Sequence, residues 1–247
     1  MEGKIETIVQ WLKDQVEQAN VKGLLVGLSG GLDSAVVANL IKRACPENSL
    51  AVIMPIQSNP EDMVDADKTV EECGIDSVHI DLTASHELLY KTIRTEIQNK
   101  QAWNEEQDQI SDANLRARIR MSTLYTIATN HHYLVVGTDN AAEWYTGYFT
   151  KYGDGGVDIQ PIIDLTKKEV KDMASYLNVP SSVINKKPSA DLWEGQTDEE
   201  EMGTTYDYID AYLLGEEVPQ QDKENIETLH KRTEHKRQIA TQLHLKK

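Results

Sequence analysis

The chain has 247 residues, of which 39% are hydrophobic and 27% charged, and its formal net charge is −16. This length suits one large domain. So acidic a chain disfavours nucleic acid as a partner, because a duplex-binding protein needs a basic stripe. No apolar run is long enough to span a membrane, and the N-terminal residues lack the apolar core of a signal peptide, so no membrane partner is expected.

The spacing of the cysteines and the local clusters of charge further limit the classes of protein to which this chain could belong. Cys45 and Cys73 lie outside any C-x-x-C pattern, which disfavours a disulfide scaffold or a cysteine metal site and fits a reducing cytoplasm. Basic residues cluster at 167–168, 186–187 and 231–237. Such clusters are most often solvated helix faces, but they can also hold a small anionic ligand.

Hydrophobic periodicity predicts alternating helices and strands. Apolar residues at helical spacing from Ile5 to Val16 predict an N-terminal amphipathic helix. Strands are predicted at 23–28, 50–54, 78–80 and 133–136. The continuous apolar run at 50–54 is typical of a sheet covered on both faces. Further helices are predicted after Asp33, from a start at 58–62, and over 82–100, 115–130, 166–177, 204–214 and 222–242.

Two polar segments interrupt these elements. Residues 101–113 are predicted to be a mobile or capping segment, and the acidic residues 191–201 a lid or a disordered loop. Lids of this kind order on ligand binding and exclude water from reactive intermediates.

The alternation of strands and helices predicts an α/β fold. We expect a doubly wound parallel sheet of about five strands flanked by helices, followed by C-terminal helices. In such sheets ligands bind outside the carboxyl ends of the strands. The loops after Val26 and Val136 are both such ends, so two loops distant in sequence can share one site.

The segment from Val26 to Ser34, VGLSGGLDS, is the most informative motif of the chain. Adjacent glycines permit positive φ angles and close approach of a ligand, and the N-terminus of the following helix favours anions. The lysine of the Walker P-loop is missing, and Asp33 stands near its position. A carboxylate beside phosphates needs an intervening cation, which indicates Mg²⁺. The alternative is an ordinary strand-to-helix turn with Asp33 as a helix-start acid.

Two later segments carry further polar residues. Gly137–Glu143 follows the strand that ends at Val136, and Glu143 there could be a second ligand of the Mg²⁺ near Asp33. An ordinary helix-surface acid is an equally good explanation of Glu143. The glycine-rich residues 150–158 predict a loop shaped for backbone approach, with Lys151 as a cation and two acids as hydrogen-bond acceptors.

Together these motifs resemble the ammonia-dependent NAD⁺ synthetases of the N-type ATP pyrophosphatase superfamily. The resemblance covers nearly the whole chain and rests on residues 28–34, 137–143, 147–156, 187–192, 206–210 and 234–237. It implies a single domain over 1–247 with a PP-loop at 27–34 and a fold like that of the adenine nucleotide alpha hydrolases. It also implies a cytoplasmic homodimer.

The resemblance implies a two-step ligase reaction. The nicotinate carboxylate of deamido-NAD⁺ would attack the α-phosphorus of ATP and release pyrophosphate. Ammonia would then displace AMP from the acyl-adenylate to give NAD⁺. The partners implied are therefore deamido-NAD⁺, ATP and ammonia, with Mg²⁺ as the cofactor.

The resemblance also implies roles for individual residues. The ATP-binding residues would be Gly27, Leu28, Ser29, Gly30, Gly31, Leu32, Asp33, Ser34, Thr138, Lys167 and Ser189. The metal ligands would be Asp33 and Glu143, and the deamido-NAD⁺-binding residues Arg118, Lys151, Asp158, His235 and Lys236. Asp33 and Asp154 would be catalytic, with Asp154 receiving ammonium and favouring its deprotonation.

Other functions remain open at this point. Another ATP pyrophosphatase could amidate or thiolate a different acceptor, as GMP synthetase and tRNA-modifying enzymes do. The net charge disfavours tRNA, and the cysteine pattern disfavours sulfur transfer. Glutamine-dependent relatives carry an additional glutaminase domain, for which 247 residues leave no room, so free or separately delivered ammonia is expected. A non-catalytic nucleotide-binding module is the remaining class.

Overall fold

Four short segments pair as parallel strands: β1 (Gly23–Gly27), β2 (Ser49–Ile53), β3 (Asp76–His79) and β4 (Tyr133–Val136). The computed structural model describes residues 1–187 and 197–243. In this part of the chain the strands form one sheet in the order β3-β2-β1-β4. The count is close to the predicted number of about five, and a single parallel bridge joins Val136 to Ile159 beyond β4.

Helices connect the strands and complete the C-terminal part. In chain order they are α1 (Glu2–Gln18), α2 (Leu32–Ala44), α3 (Pro60–Cys73), α4 (Thr83–Asn99), α5 (Asp108–His131), α6 (Ala141–Thr146), α7 (Lys167–Tyr176), α8 (Ser181–Ile184), α9 (Asp198–Met202), α10 (Tyr206–Leu213) and α11 (Gln220–Thr233). Single 3₁₀ turns lie at Glu105–Gln107 and Glu234–Lys236.

Strand order places a topological switch point next to β1. The chain runs outward from β1 through β2 to β3, and then returns so that β4 pairs with the other side of β1. Leu25 in β1 accordingly lies between Leu50 of β2 and Val135 of β4. The loops after β1 and β4 leave the same edge toward opposite sides and open a cleft between them.

The two faces of the sheet are covered by different helices. Residues of alternating strand positions, such as Leu24 and Val26, pack in one core with side chains of α1, α2 and α7. Leu25 and Val135 point to the opposite face, where Leu124 and Ala128 of α5 cover them. This period-two alternation explains why the strands read as continuous apolar runs. The doubly wound sheet is confirmed.

The C-terminal helices form a third, smaller cluster. Its buried residues come from four helices, α6, α9, α10 and α11: Ala142, Met202, Tyr206, Ile209 and Ile226. The predicted C-terminal helices are thereby confirmed, and their apolar residues pack against α6, which begins just after β4. This cluster therefore forms one wall of the cleft.

Two helix boundaries differ from the prediction. The helix expected to begin at residue 115 begins at Asp108, where the Asp108 carboxylate accepts hydrogen bonds from Tyr90 and Trp103. The helix expected to run to residue 242 ends at Thr233, and the Arg237 guanidinium donates to the carbonyls of His230 and Trp144. Side-chain hydrogen bonds that include partners outside the helix, Tyr90 for α5 and Trp144 for α11, therefore override the local pattern at both ends.

Some predicted segments lie partly or wholly outside the described residues. Most of the expected loop at 191–201 does so, as does Ser189. The end of that loop is the start of α9, which Thr197 caps by accepting from the amide of Glu200. Within residues 1–187 and 197–243, no helix combines the length and the apolar character needed to cross a lipid bilayer.

Substitution of Gly30 tests how tightly the turn after β1 is packed. Gly30 has φ +83°, and a Cβ atom there would lie 2.1 Å from the Asp62 carbonyl oxygen. Gly74 is the matched control, because its φ is +67° and a Cβ atom would meet nothing within 4 Å. Gly74→Ala should cost about 1 kcal/mol of unfolding free energy from backbone conformation. Gly30→Ala should cost about 2–4 kcal/mol, since overpacking adds to it. Urea unfolding measures both, and equal losses would contradict this packing.

Candidate active site

The loops after β1 and β4 line one cavity of about 750 Å³. The PP-loop, residues 27–34, supplies one wall, and residues 136–139 with Glu143 supply the adjoining wall. The N-terminus of α7 and the 147–157 segment complete it, through Lys167 and Asp154 among others. The two strand ends that the sequence singled out are therefore brought together.

Internal hydrogen bonds fix the shape of the PP-loop. The Ser34 hydroxyl donates to the Gly31 carbonyl (3.1 Å) and lies 3.1 Å from the Ser29 hydroxyl. The amide of Gly31 donates to the Ser29 hydroxyl oxygen (3.2 Å). The N-cap residue of α2 is Gly31, which has no side chain to satisfy the first amides of the helix. Those amides are the usual binding groups for phosphate oxygens.

The Lys167 ammonium group lies between two carboxylates. Its Nζ atom is 2.6 Å from Asp33 Oδ2 and 3.2 Å from Glu143 Oε1. All three side chains are largely buried, with 12–16% of each exposed. The predicted ATP-binding lysine and both predicted metal ligands therefore meet at one point in the cavity.

Capping interactions at the starts of α6 and α7 position these side chains. Asn140 caps α6 by accepting from the Glu143 amide, and Glu143 Oε2 accepts in return from the Asn140 amide. The Asn140 side chain also donates to Asp33 Oδ1 (2.9 Å). A second capping box, Thr166 with Glu169, starts α7 at Lys167 as the sequence predicts. One oxygen of Glu143 thus serves the helix, and the other faces the lysine.

Burial and charge shift the ionisation of this group. Burial, followed by the nearby charge of Asp33, raises the pKa of Glu143 to about 7, although Lys167 lowers it. Burial by itself lowers the pKa of Lys167, but the carboxylates of Asp33 and Glu143 outweigh it and raise that pKa overall. The Lys167 ammonium beside Glu143 is therefore the group that favours the ionised form of this carboxyl most strongly.

The donor set fits a magnesium ion shared with phosphates. In the described part of the chain, no three His, Cys, Asp or Glu side chains are grouped to hold a metal ion by themselves. Magnesium is usually held by one or two carboxylates together with substrate phosphates and water. Asp33 and Glu143 supply two carboxylate oxygens that a single cation, the Lys167 ammonium, already contacts.

Of the residues predicted for the acceptor, Lys236 lines the cavity, whereas Arg118, Lys151, Asp158 and His235 are not among its described lining residues. Arg118 donates to the Lys151 carbonyl oxygen (3.3 Å), and the Lys151 ammonium donates to the His235 carbonyl oxygen. Lys236 lines the cavity and donates to the carbonyls of Gly147 and Phe149. These four predicted residues form one connected group.

Asp158 is placed differently from the rest of the acceptor group. Its carboxylate accepts from the backbone amide of Val135 (2.8 Å) and from the Tyr125 hydroxyl (3.0 Å). It therefore fastens the 150–158 loop to β4 and α5. Thr138 and Asp154 line the cavity as expected, whereas Ser189 lies outside the described residues.

Sequence reasoning missed three buried polar residues of the site. Tyr206 donates to Glu143 Oε1 (3.0 Å) and to Asp198, and its ring lies 4.6 Å from the Lys167 ammonium group. Asn140 fixes Asp33. Asp139 is 4% exposed, and its Oδ2 atom has no hydrogen-bond partner among the described residues. Their sequence positions could have indicated them. Asp139 and Asn140 come shortly after the end of β4, and Tyr206 is the first residue of the Tyr206–Asp210 segment.

A change at Glu143 tests the electrostatics of the ligand-free protein. The Glu143 carboxyl has a pKa of about 7 in the folded protein, against an ordinary value of 4.5. Its contribution to the free energy of unfolding therefore decreases as the pH rises between these two values. Glu143→Gln removes this titration while keeping the shape. Between pH 5 and pH 7.5, the free energy of unfolding of the parent should fall on the order of 1–3 kcal/mol more than that of the variant. Urea unfolding at both pH values checks this, and parallel pH profiles would contradict it.

Comparison with known proteins identifies the family. A family model described as NAD synthase matches residues 4–240. The NH(3)-dependent NAD(+) synthetase of Alkaliphilus metalliredigens is 58% identical over 234 residues, 95% of each chain. A solved structure described as NMN synthetase from Francisella tularensis covers 99% of this chain and 98% of its own (TM-score 0.90, 38% identity). The NH3-dependent NAD synthetase of Campylobacter jejuni covers 98% of both chains (TM-score 0.78, 29% identity). A chain with this fold, this cavity and these relatives belongs to the NAD synthase family.

Proposed function

We propose that this chain is an ammonia-dependent NAD⁺ synthetase, which uses ATP to convert deamido-NAD⁺ into NAD⁺. The observation that carries the proposal is the meeting of the PP-loop, Asp33, Glu143 and Lys167 in the cavity that also contains Lys236. The curated relatives with 56–58% identity are all named NH(3)-dependent NAD(+) synthetase.

Phosphate binding is the first task of the site. The amides at the start of α2 and the Ser29 and Ser34 hydroxyls of the PP-loop supply donors to ATP phosphates. Asp33 and Glu143 would hold Mg²⁺, which supplies positive charge to the departing pyrophosphate. Lys167 provides a further cation at the same point. These positive charges stabilise the negative charge that develops on pyrophosphate as the bond between the α-phosphorus and the bridging oxygen breaks.

Adenylation activates the acceptor. A nicotinate carboxylate oxygen attacks the α-phosphorus of ATP, and the bond to the bridging oxygen breaks with its electron pair leaving on pyrophosphate. The acyl carbon then carries AMP as a good leaving group. Lys236 lines the cavity and supplies a cation that suits the carboxylate or phosphates of such an acceptor. Arg118 and Lys151 are linked to each other outside the described cavity lining.

Amidation completes the reaction. Ammonium loses one proton, and the nitrogen lone pair forms a bond to the acyl carbon. The bond from that carbon to the AMP oxygen breaks with its electron pair going to AMP, and the nitrogen releases a second proton. Asp154 lines the cavity and is the candidate for the ammonium side of this step.

A nicotinate mononucleotide is the second candidate acceptor. The observation that favours it is the close structural likeness to the protein described as NMN synthetase, at a TM-score of 0.90. The chemistry would be identical, because only the carboxylate reacts. The two candidates differ in whether the acceptor carries a second nucleotide.

A substrate comparison tests the proposal. Purified protein with ATP, Mg²⁺ and ammonium chloride is given deamido-NAD⁺, nicotinate mononucleotide or xanthosine monophosphate, and the amide product and AMP are quantified. We expect the highest kcat/KM with deamido-NAD⁺ and no product with xanthosine monophosphate. Preference for the mononucleotide would replace the proposed acceptor. ATP binding without pyrophosphate release from any acceptor would indicate a non-catalytic module.

Removal of the Asp33 carboxylate should stop the first step. Asp33→Asn loses the charge that would hold Mg²⁺, so deamido-NAD⁺-dependent exchange of pyrophosphate into ATP should fall about 100- to 1,000-fold. Asp172→Asn is the matched control, since Asp172 is exposed on α7 outside the cavity. An Asp33→Asn variant that exchanges pyrophosphate at the parental rate would show that the metal assignment is wrong.

We also propose that the chain acts as a homodimer in the cytoplasm. Three apolar side chains of α4 are unusually exposed: Leu88 (71%), Leu89 (42%) and Ile93 (41%). Neighbouring apolar residues of this kind favour a protein interface. Both cysteines are free thiols, which suits a reducing compartment.

Charge substitution on α4 should separate the subunits. The parent should sediment as a dimer, and Leu88→Asp combined with Ile93→Asp should sediment as a monomer, because the aspartates would be desolvated at the interface. Leu214→Asp is the control, since Leu214 is 66% exposed and directly follows α10. Equilibrium sedimentation measures the mass, and a monomeric parent would contradict the dimer.

A further inference from the structure

Asp139 is a buried carboxylate that the reaction described so far does not use. It lies three residues after the end of β4 and lines the cavity. Only 4% of the residue is exposed, and its Oδ2 atom finds no hydrogen-bond partner among the described residues. A buried polar atom without a partner is costly, so its presence at a cavity wall calls for a ligand that supplies one.

The surroundings of Asp139 call for a cation. After burial itself, the charges that raise its pKa most are the carboxylates of Asp154, Glu143 and Asp33, in that order. Lys236 is the cation that opposes them, but its ammonium group already donates to the carbonyls of Gly147 and Phe149. A positively charged hydrogen-bond donor in the cavity would satisfy the free oxygen and offset this repulsion.

The position of Asp139 in the cavity indicates which cation it would bind. Asp33 and Glu143 are occupied with Lys167, Asn140 and Tyr206 at the PP-loop side. Asp154, the carboxylate whose charge acts most strongly on Asp139, lies on the glycine-rich segment next to the acceptor group. Asp139 and Asp154 line the same cavity as Lys236, the predicted acceptor-binding residue that reaches it. The cation consumed there is ammonium, with four N–H donors for carboxylate oxygens.

We propose that Asp139, paired with Asp154, holds the incoming ammonium ion through its free Oδ2 atom. This inference rests on the proposed function and adds a residue to it. The ammonium donates N–H hydrogen bonds to both carboxylates and gives up one proton to the pair, which leaves the nitrogen lone pair free to attack the acyl carbon. The second proton leaves after the C–N bond has formed and AMP has departed.

Asp139→Asn keeps the shape of the side chain and removes its charge. Charge-assisted hydrogen bonds of this kind correspond to about ten- to hundredfold in binding. The KM for ammonium chloride should therefore rise about ten- to hundredfold, while deamido-NAD⁺-dependent pyrophosphate exchange, which needs no ammonium, stays within about twofold of the parent. Asp172→Asn should change neither quantity.

A neutral nucleophile separates ammonium binding from a general defect. Hydroxylamine is uncharged at mildly alkaline pH, so its KM should be nearly the same in the parent and in Asp139→Asn. Asp139→Ser should show the same pattern with a smaller side chain. Because exchange requires a folded site, it also serves as the folding control for both variants.

Three outcomes would overturn the inference. An unchanged KM for ammonium in an active variant would show that Asp139 does not hold the ion. Loss of pyrophosphate exchange that excess Mg²⁺ restores would make Asp139 a metal ligand instead. An equal rise in KM for ammonium and hydroxylamine would indicate a change of shape, not of charge. A parent enzyme that forms no NAD⁺ would reject the proposed function itself, which is a separate result.

Discussion

One cation between two buried acids organises this site. The Lys167 ammonium contacts Asp33, from the turn after β1, and Glu143, from the first turn of α6. In a cavity with little water, two carboxylates so close repel each other strongly unless a positive charge lies between them. The start of α7 must therefore meet both strand ends, and the sheet order, with β1 beside β4, makes this meeting possible.

Several residues carry structural and chemical tasks at once. Glu143 caps α6 with one oxygen and contacts the lysine with the other. Asn140 caps the same helix and also fixes Asp33. Asp210 receives the first amides of α7, which holds Lys167 at the helix start. Because the groups that would bind ligands take part in helix caps or are held by capping residues, they are in place before any substrate arrives, at little cost in ordering.

The sequence predicted the strands more reliably than the helix ends. The central strands β1 and β2 are apolar runs, because both faces of the sheet are covered there, whereas the edge strand β3 is short and largely exposed. The start of α5 and the end of α11 depend on Tyr90 and Arg237, whose hydrogen bonds reach other segments of the chain. No local pattern contains those contacts. In the same way Asp158, predicted to contact the acceptor, is tied to Val135 and Tyr125.

The sequence by itself determined the chemistry of the two loops. Glycines, an aspartate in place of a lysine, and polar residues at a second strand end indicated phosphates and a metal ion, and the family resemblance supplied the acceptor. Only the tertiary structure decided how these groups face one another. It placed Lys167 between the acids, left one oxygen of Asp139 without a partner in the described part of the chain, and connected Arg118 to Lys151. The reason is physical: residue type sets the charge and hydrogen bonds a side chain can offer, but burial and neighbours, which folding alone supplies, determine its partners and its pKa.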